Sequence, residues 1–145
     1  MHFTLHIEPF CLLCLNLDRI QVYTFLNRLG PIMDLPGEGE VEVLIAGDAT
    51  IADLNSRFLQ CPGPTNVLSF PDGHDGGQLV ISSQAVLREV FLYQRGTSEH
   101  FLRLLAHGLL HLAGHEHGER MFDLTEEAVF RLMKETVPND FSTSF

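Results

Sequence analysis

Basic side chains are scarce in this chain of 145 residues: nine Lys and Arg stand against nineteen Asp and Glu, for a formal net charge of −10. That balance argues against general affinity for nucleic acid, which rests on neutralising phosphates with Lys and Arg. Cysteine is sparse as well. Three cysteines cannot all pair within one chain, which excludes a complete disulfide framework and points to a reducing, cytoplasmic setting. No apolar run approaches the roughly 20 residues of a membrane span, and residues 9–17, rich in Leu, are too short. The first residues lack the basic flank and apolar stretch of a signal peptide, so neither targeting nor membrane association is expected. Linkers, repeats and low-complexity stretches are missing too. One domain over 1–145 is therefore expected, and a hydrophobic content of 45% suits a core that needs no covalent staples.

Within that frame the charge is uneven. Residues 1–52 carry two basic and seven acidic side chains and residues 107–145 three and seven, but residues 53–106 carry four arginines against five acids. Arg57, Arg88, Arg95 and Arg103 are thus available to line a local groove, scattered solvated arginines being the alternative. Cys11 and Cys14 form a lone C-x-x-C among leucines. With no second cysteine pair to complete a tetrad, buried reduced thiols are expected there.

The most informative run is His107-Gly-Leu-Leu-His111-Leu-Ala-Gly114-His-Glu-His117, which places three imidazoles at relative positions 0, +4 and +10. On an α-helix, His107 and His111 fall on one face about 6 Å apart along the axis, close enough to share one zinc ion. Six further helical residues would carry His117 about 240° away, so the chain has to turn. Gly114 sits where a left-handed helix-ending residue would fold His117 back toward the other two. Three neutral ligands leave a fourth position for water, whose pKa zinc lowers toward roughly 7. In the zinc-protease helix H-E-x-x-H, the residue after the first His is the general base, and here it is Gly108. Metal-free histidines on a helix face are the alternative. His115 reads as a surface residue or a support for a ligand, and Glu116 as an acceptor orienting a ligating imidazole or as a solvated carboxylate.

Residues 2–8 alternate polar and apolar and predict a first strand. A helix follows over about 17–29, ended by Gly30-Pro31, and then a strand over 41–46. Asp48 or Thr50 is expected to cap a short helix through Phe58, with Ile51, Leu54 and Phe58 facing inward. A loop at 60–64 leads to strands at 66–70 and 78–82, separated by the glycine-rich 71–77, whose Asp72, His74 and Asp75 are read as loop residues rather than ligands. Helices are expected over about 83–94, 98–113 (entered through Thr97 or Ser98) and 123–136, and residues 139–145 should fray. The fold class is α/β or α+β, a mixed sheet of about four strands with about five helices and the zinc site at the end of a central helix.

The histidine helix together with Thr65-Asn-Val-Leu-Ser-Phe-Pro71 resembles the YbeY family of bacterial endoribonucleases, the ribosomal RNA maturation factors. Its two signatures read approximately T-[DN]-V-L-S-F-P and H-G-x-L-H-L-x-G-[YF]-D-H, and the similarity covers about residues 40–133. The resemblance implies a cytoplasmic, zinc-dependent endoribonuclease directed at single-stranded RNA, acting in ribosomal RNA maturation and ribosome quality control. It also implies one zinc ion on His107, His111 and His117. Three departures stand out. Where the family has Tyr-Arg after the Leu-Asn pair, this chain has Phe58-Leu59, leaving Arg57 as the substitute for an arginine implicated in activity. Where the family has Tyr-Asp before the third ligand, this chain has His115-Glu116, and Gly77-Gln78 replaces a Gly-Asp pair. Arg57 and Glu116 are accordingly the candidate catalytic residues.

Zinc acting on RNA serves as a Lewis acid or delivers hydroxide, and a nearby cation stabilises the charge developing at phosphorus. Weak overall basicity implies that the ribosome or a ribosomal protein assists binding. Two rival readings remain. A zinc peptidase or other hydrolase would need a base that Gly108 does not provide. A structural zinc protein bound to the ribosome would need a fourth ligand, for which His115, Glu119 and Asp123 are available.

Overall fold

The computed structural model describes residues 1–136, with the side chain of the last of these left out of account; the expected fraying of 139–145 lies outside the described residues. The chain opens with strand β1 (His2–Ile7), whose Phe3 and Leu5 are buried while His2, Thr4 and His6 are exposed. A short 3-10 turn at Leu13–Leu15 leads to helix α1 (Arg19–Ile32). Asp18 and Gln21 form a reciprocal capping box there: the Gln21 N–H donates to Asp18 Oδ1 at 2.8 Å and the Asp18 N–H to Gln21 Oε1 at 2.9 Å. Gly30-Pro31 does not end this helix. The chain continues to Ile32 and stops where Asp34 takes a φ of 55° and Leu35 N–H bonds back to the Gly30 carbonyl at 2.9 Å. Proline lacks an N–H but carries a helical φ, so near a helix end it removes one bond without forcing a stop.

Strand β2 (Glu40–Ala46), helix α2 (Asp48–Leu59), strands β3 (Val67–Pro71) and β4 (Gly77–Ser82), and helices α3 (Ser83–Tyr93), α4 (Thr97–Leu112) and α5 (Glu119–Thr136) complete the described chain. The four strands form one mixed sheet in the order β1-β2-β4-β3. β1 and β4 both run parallel to β2, and β3 pairs antiparallel with β4, Ser69 opposite Leu79. The expected mixed sheet of four strands with five helices is what the described residues form. α5 begins at Glu119, earlier than expected, and the caps differ. Gly47 and Gly96 occupy the cap positions of α2 and α4, while Asp48 and Thr97 are the first helical residues. The N-terminus of α2 is served from a distance by the Glu8 carboxylate, which accepts from Gly47 N–H at 2.8 Å and Thr50 Oγ1 at 2.7 Å.

The main core unites one face of the sheet with α1, α4 and α5. Phe101, Leu102, Leu105, Leu109 and Leu110 of α4 are fully buried within it. A smaller cluster of Ala46, Ile51, Leu68 and Val80 lies under α2 on the opposite face. Phe58 does not join it inwardly as expected: the ring is 59% exposed and meets Phe70 edge-on, with centroids 5.9 Å apart. The C-x-x-C reading also needs correction, because Cys11 is buried but Cys14 is exposed, its thiol donating to the Cys11 carbonyl at 3.2 Å.

Candidate metal centre

Helix α4 carries the site because its sequence is apolar on the side that meets the sheet. Gly108 is the closest approach: a Cβ built there would lie 2.1 Å from Leu79 Cδ1 on β4. The Gly108 carbonyl also accepts from Ser69 Oγ at 3.1 Å, tying α4 to β3 beside the histidines. Position 108 therefore faces the sheet and has no room for the glutamate of a zinc-protease helix. The missing general base is a consequence of packing.

α4 ends at Leu112 in a Schellman motif with Ala113 as its C-cap. Gly114 takes a φ of 92°, Gly114 N–H bonds to the His111 carbonyl at 3.0 Å, and His115 N–H to the Leu110 carbonyl at 3.0 Å. This left-handed step reverses the chain as expected and brings His117 against the helix. The three rings converge: centroids are 4.7 Å apart for His107 and His111, 5.1 Å for His107 and His117, and 4.5 Å for His111 and His117. Their ligand nitrogens all lie within 4.8 Å of one another, and His107 Nε2 and His111 Nε2 are 3.2 Å apart. Two ligands about 2.0–2.1 Å from a tetrahedral ion are separated by about 3.4 Å, so the donors stand close to the spacing that one zinc-sized ion needs. Burial, and then the neighbouring charges of His111 and His117, push the His107 imidazole down to about 4. Burial and His117 lower His111 as well, against an opposing backbone interaction at His115. Both rings are thus neutral near pH 7, the protonation state that a metal requires of imidazole.

Among the described residues this trio is the only group of His, Cys, Asp and Glu positioned to hold a metal ion. His115, Glu119 and Asp123, the residues available as a fourth ligand, do not stand with it. Two clefts meet at the histidines. One, of about 420 Å³, is lined by Leu59, Thr65, Asn66, Val67 and Ser69 together with all three histidines. The other, of about 220 Å³, is lined by His107 and His117 with Arg95, Arg103 and Phe122.

The candidate catalytic residues are not brought to this point. Arg57 is exposed and bound to Asp53, Nε donating to Oδ2 at 3.0 Å and a terminal nitrogen to the same oxygen at 2.7 Å; Asp53 accordingly raises the guanidinium's pKa. Its neighbour Leu59, where the family resemblance expects arginine, does line the larger cleft. Glu116 is exposed on the turn between His115 and His117. Asn66 stands in the signature run just before β3, and the sequence reading assigns it no role. It lines the larger cleft and donates to Glu89 Oε1 at 3.0 Å, and the same oxygen lies 3.3 Å from His100 Nε2.

The comparisons with known proteins agree with this geometry. The family model for endoribonuclease YbeY matches residues 19–137. The chain belongs to the endoribonuclease YbeY family. That is a family of hydrolases. An endoribonuclease YbeY from Oleidesulfovibrio alaskensis is 42% identical over an alignment of 134 residues, covering 74% of this chain and 76% of that protein. One from Lawsonia intracellularis is 45% identical over 115 residues, covering 78% and 79%. The solution structure of TM1509 from Thermotoga maritima shares the fold at 23% identity, with a TM-score of 0.65 over 91% of each chain.

Proposed function

We propose that this chain, a single YbeY-like domain over 1–145, is a zinc-dependent endoribonuclease that cuts single-stranded RNA. Its setting is ribosomal RNA maturation and ribosome quality control in the cytoplasm, with the ribosome or ribosomal proteins as partners. The observation that supports this most is the convergence of three imidazoles beside two clefts, with no fourth protein ligand among the described residues, in a chain of this family. No helix of the described chain is long and apolar enough to cross a membrane, which agrees with a substrate met in solution.

His107, His111 and His117 would hold one ion. Bound there, it would supply Lewis acidity toward a phosphoryl oxygen and toward water near neutral pH. The rest falls to the chain. The Ser69 to Gly108 bond and the Gly108 to Leu79 contact hold α4 against β3 and β4, so the wall facing a phosphate is set before the substrate arrives. Arg57 is assigned to the charge that develops on the phosphoryl group. Reaching it means exchanging Asp53 for the substrate, and a solvent-exposed pair is readily given up for a bidentate phosphate contact. Glu116 is assigned to proton handling or to orienting a ligating imidazole from the exposed turn. Unpaired RNA suits clefts lined by few side chains, because its bases are open to contact. A net charge of −10 makes binding weak without a partner.

Zinc-loaded protein given single-stranded RNA, the same sequence as a duplex, and a peptide tests the reading on one sample. Cleavage of the single strand alone, abolished by a chelator, is expected. Cleavage of the peptide and not of RNA would favour the other hydrolase reading.

A further inference from the structure

The guanidiniums that the middle of the sequence offers to RNA are mostly taken. Arg57 is paired with Asp53, Arg88 with Asp48, and Arg103 with both Glu99 and Glu126. Arg95 differs. Among the described residues no carboxylate lies within ion-pair distance of it, and its guanidinium sits over the Tyr93 ring, 5.6 Å from the centroid. Tyr93 in turn meets the ring of buried His100 edge-on at 6.3 Å, and Arg95 N–H bonds to the Val90 carbonyl at 3.2 Å. The cation makes no ion pair among the described residues yet is held in place.

It is also held in a useful place. Arg95 lines the cleft of about 220 Å³ that ends at His107 and His117. Phe122, near the start of α5, lines the same cleft with its ring 65% exposed. The carboxylate in that cleft, Glu126, is bound to Arg103 and lowered chiefly by it, with a smaller part from Arg95 through space. An exposed aromatic face next to an unpaired guanidinium is the pairing that single-stranded nucleic acids use, ring to base and cation to phosphate. From Thr97 to His107 the α4 axis advances about 15 Å, so a phosphate flanking the histidine centre is nearer to Arg95 than one held at it.

We propose that Arg95 and Phe122 form a subsite for a nucleotide of single-stranded RNA that lies beyond the histidine centre, the guanidinium on its phosphate and the phenyl ring against its base. The proposal rests on the reading of the substrate as single-stranded RNA. The test is binding, not cleavage. Metal-loaded protein is titrated into a fluorescent, cleavage-resistant single-stranded 2′-O-methyl RNA, and anisotropy is followed from low to moderate salt. Arg95→Gln should weaken binding about tenfold at low salt, the size of one charge-assisted contact, and lower the salt slope by about 0.7, the contribution of one phosphate. Phe122→Ala should weaken it about fivefold or more with the slope unchanged. Arg28→Gln changes the same charge beside Glu135, at the far end of α5, and should match the parent. Loss in Arg28→Gln equal to that in Arg95→Gln, or parent-like binding by both Arg95→Gln and Phe122→Ala, overturns the subsite alone. A parent protein that neither binds nor cuts RNA overturns the substrate reading with it.

Discussion

Gly108→Ala puts the packing of α4 on the sheet to a quantitative test. The added Cβ would lie 2.1 Å from Leu79 Cδ1 and 3.2 Å from Leu79 Cδ2 and Cγ. Carbon atoms rest about 3.5–4.0 Å apart, so α4 and β4 must separate or Leu79 must change rotamer to open about 1.5 Å. Leu79 is fully buried on a strand with neighbours on both sides, and a core at this density offers no empty rotamer. Overpacking of this kind costs about 1–3 kcal/mol, and so short a contact belongs at the upper end. Alanine regains about 1 kcal/mol over glycine in a helix interior, leaving a net loss of about 2 kcal/mol. Urea unfolding of the chelated protein measures it as a lower midpoint at unchanged slope. Leu79→Ala supplies the control, since it makes the room that the added methyl needs. The double variant should be more stable than the sum of the single losses by at least about 1 kcal/mol. A Gly108→Ala protein as stable as the parent, or strict additivity in the double variant, would refute the claim that sheet contact excludes a side chain at 108.

Three further outcomes are expected. Burial keeps the His100 imidazole below its ordinary value despite Glu89, while the unfolded chain takes up that proton near pH 6.5. Stability of the chelated protein therefore declines as pH falls below about 6.5 and on through the lower folded-state value; His100→Gln should flatten that decline, and equal slopes would contradict the assignment. Gly114→Ala imposes a φ of 92° on a residue with a Cβ, so zinc affinity should fall about tenfold or more as His117 is displaced, whereas an unchanged affinity in a zinc titration would show that the turn does not set the third ligand. Arg57→Ala should impair RNA cleavage at unchanged zinc content and fold, and unaltered cleavage would leave Arg57 as a surface partner of Asp53.

The histidine centre is legible in the sequence because its information is local. An i, i+4 pair on an apolar helix and a glycine where the chain must reverse are both read from eleven consecutive residues, and the Schellman turn at Gly114 obeys the same local rule. The fate of the arginines is not legible. Arg88 finds Asp48 forty positions away and Arg103 finds Glu126, pairings that depend on which helices the sheet brings together. The Asp53 to Arg57 and Glu99 to Arg103 pairs, each four apart on one helix, are open to a sequence reading. Pro31 and Phe58 show the limits of local rules in the other direction. A proline is tolerated near the end of α1, and an apolar residue at inward spacing stays exposed against Phe70 because α2 covers only part of its sheet face.

The central claim is that His107, His111 and His117 hold one catalytic ion. Metal analysis of the purified protein and of its three single His→Ala variants, each sample then assayed on single-stranded RNA, tests it most directly. About one zinc per chain is predicted in the parent, with sharply reduced content in every variant because two imidazoles hold zinc poorly, and RNA cleavage that follows the metal. Full occupancy in His117→Ala, or cleavage that persists in metal-free protein, would contradict it.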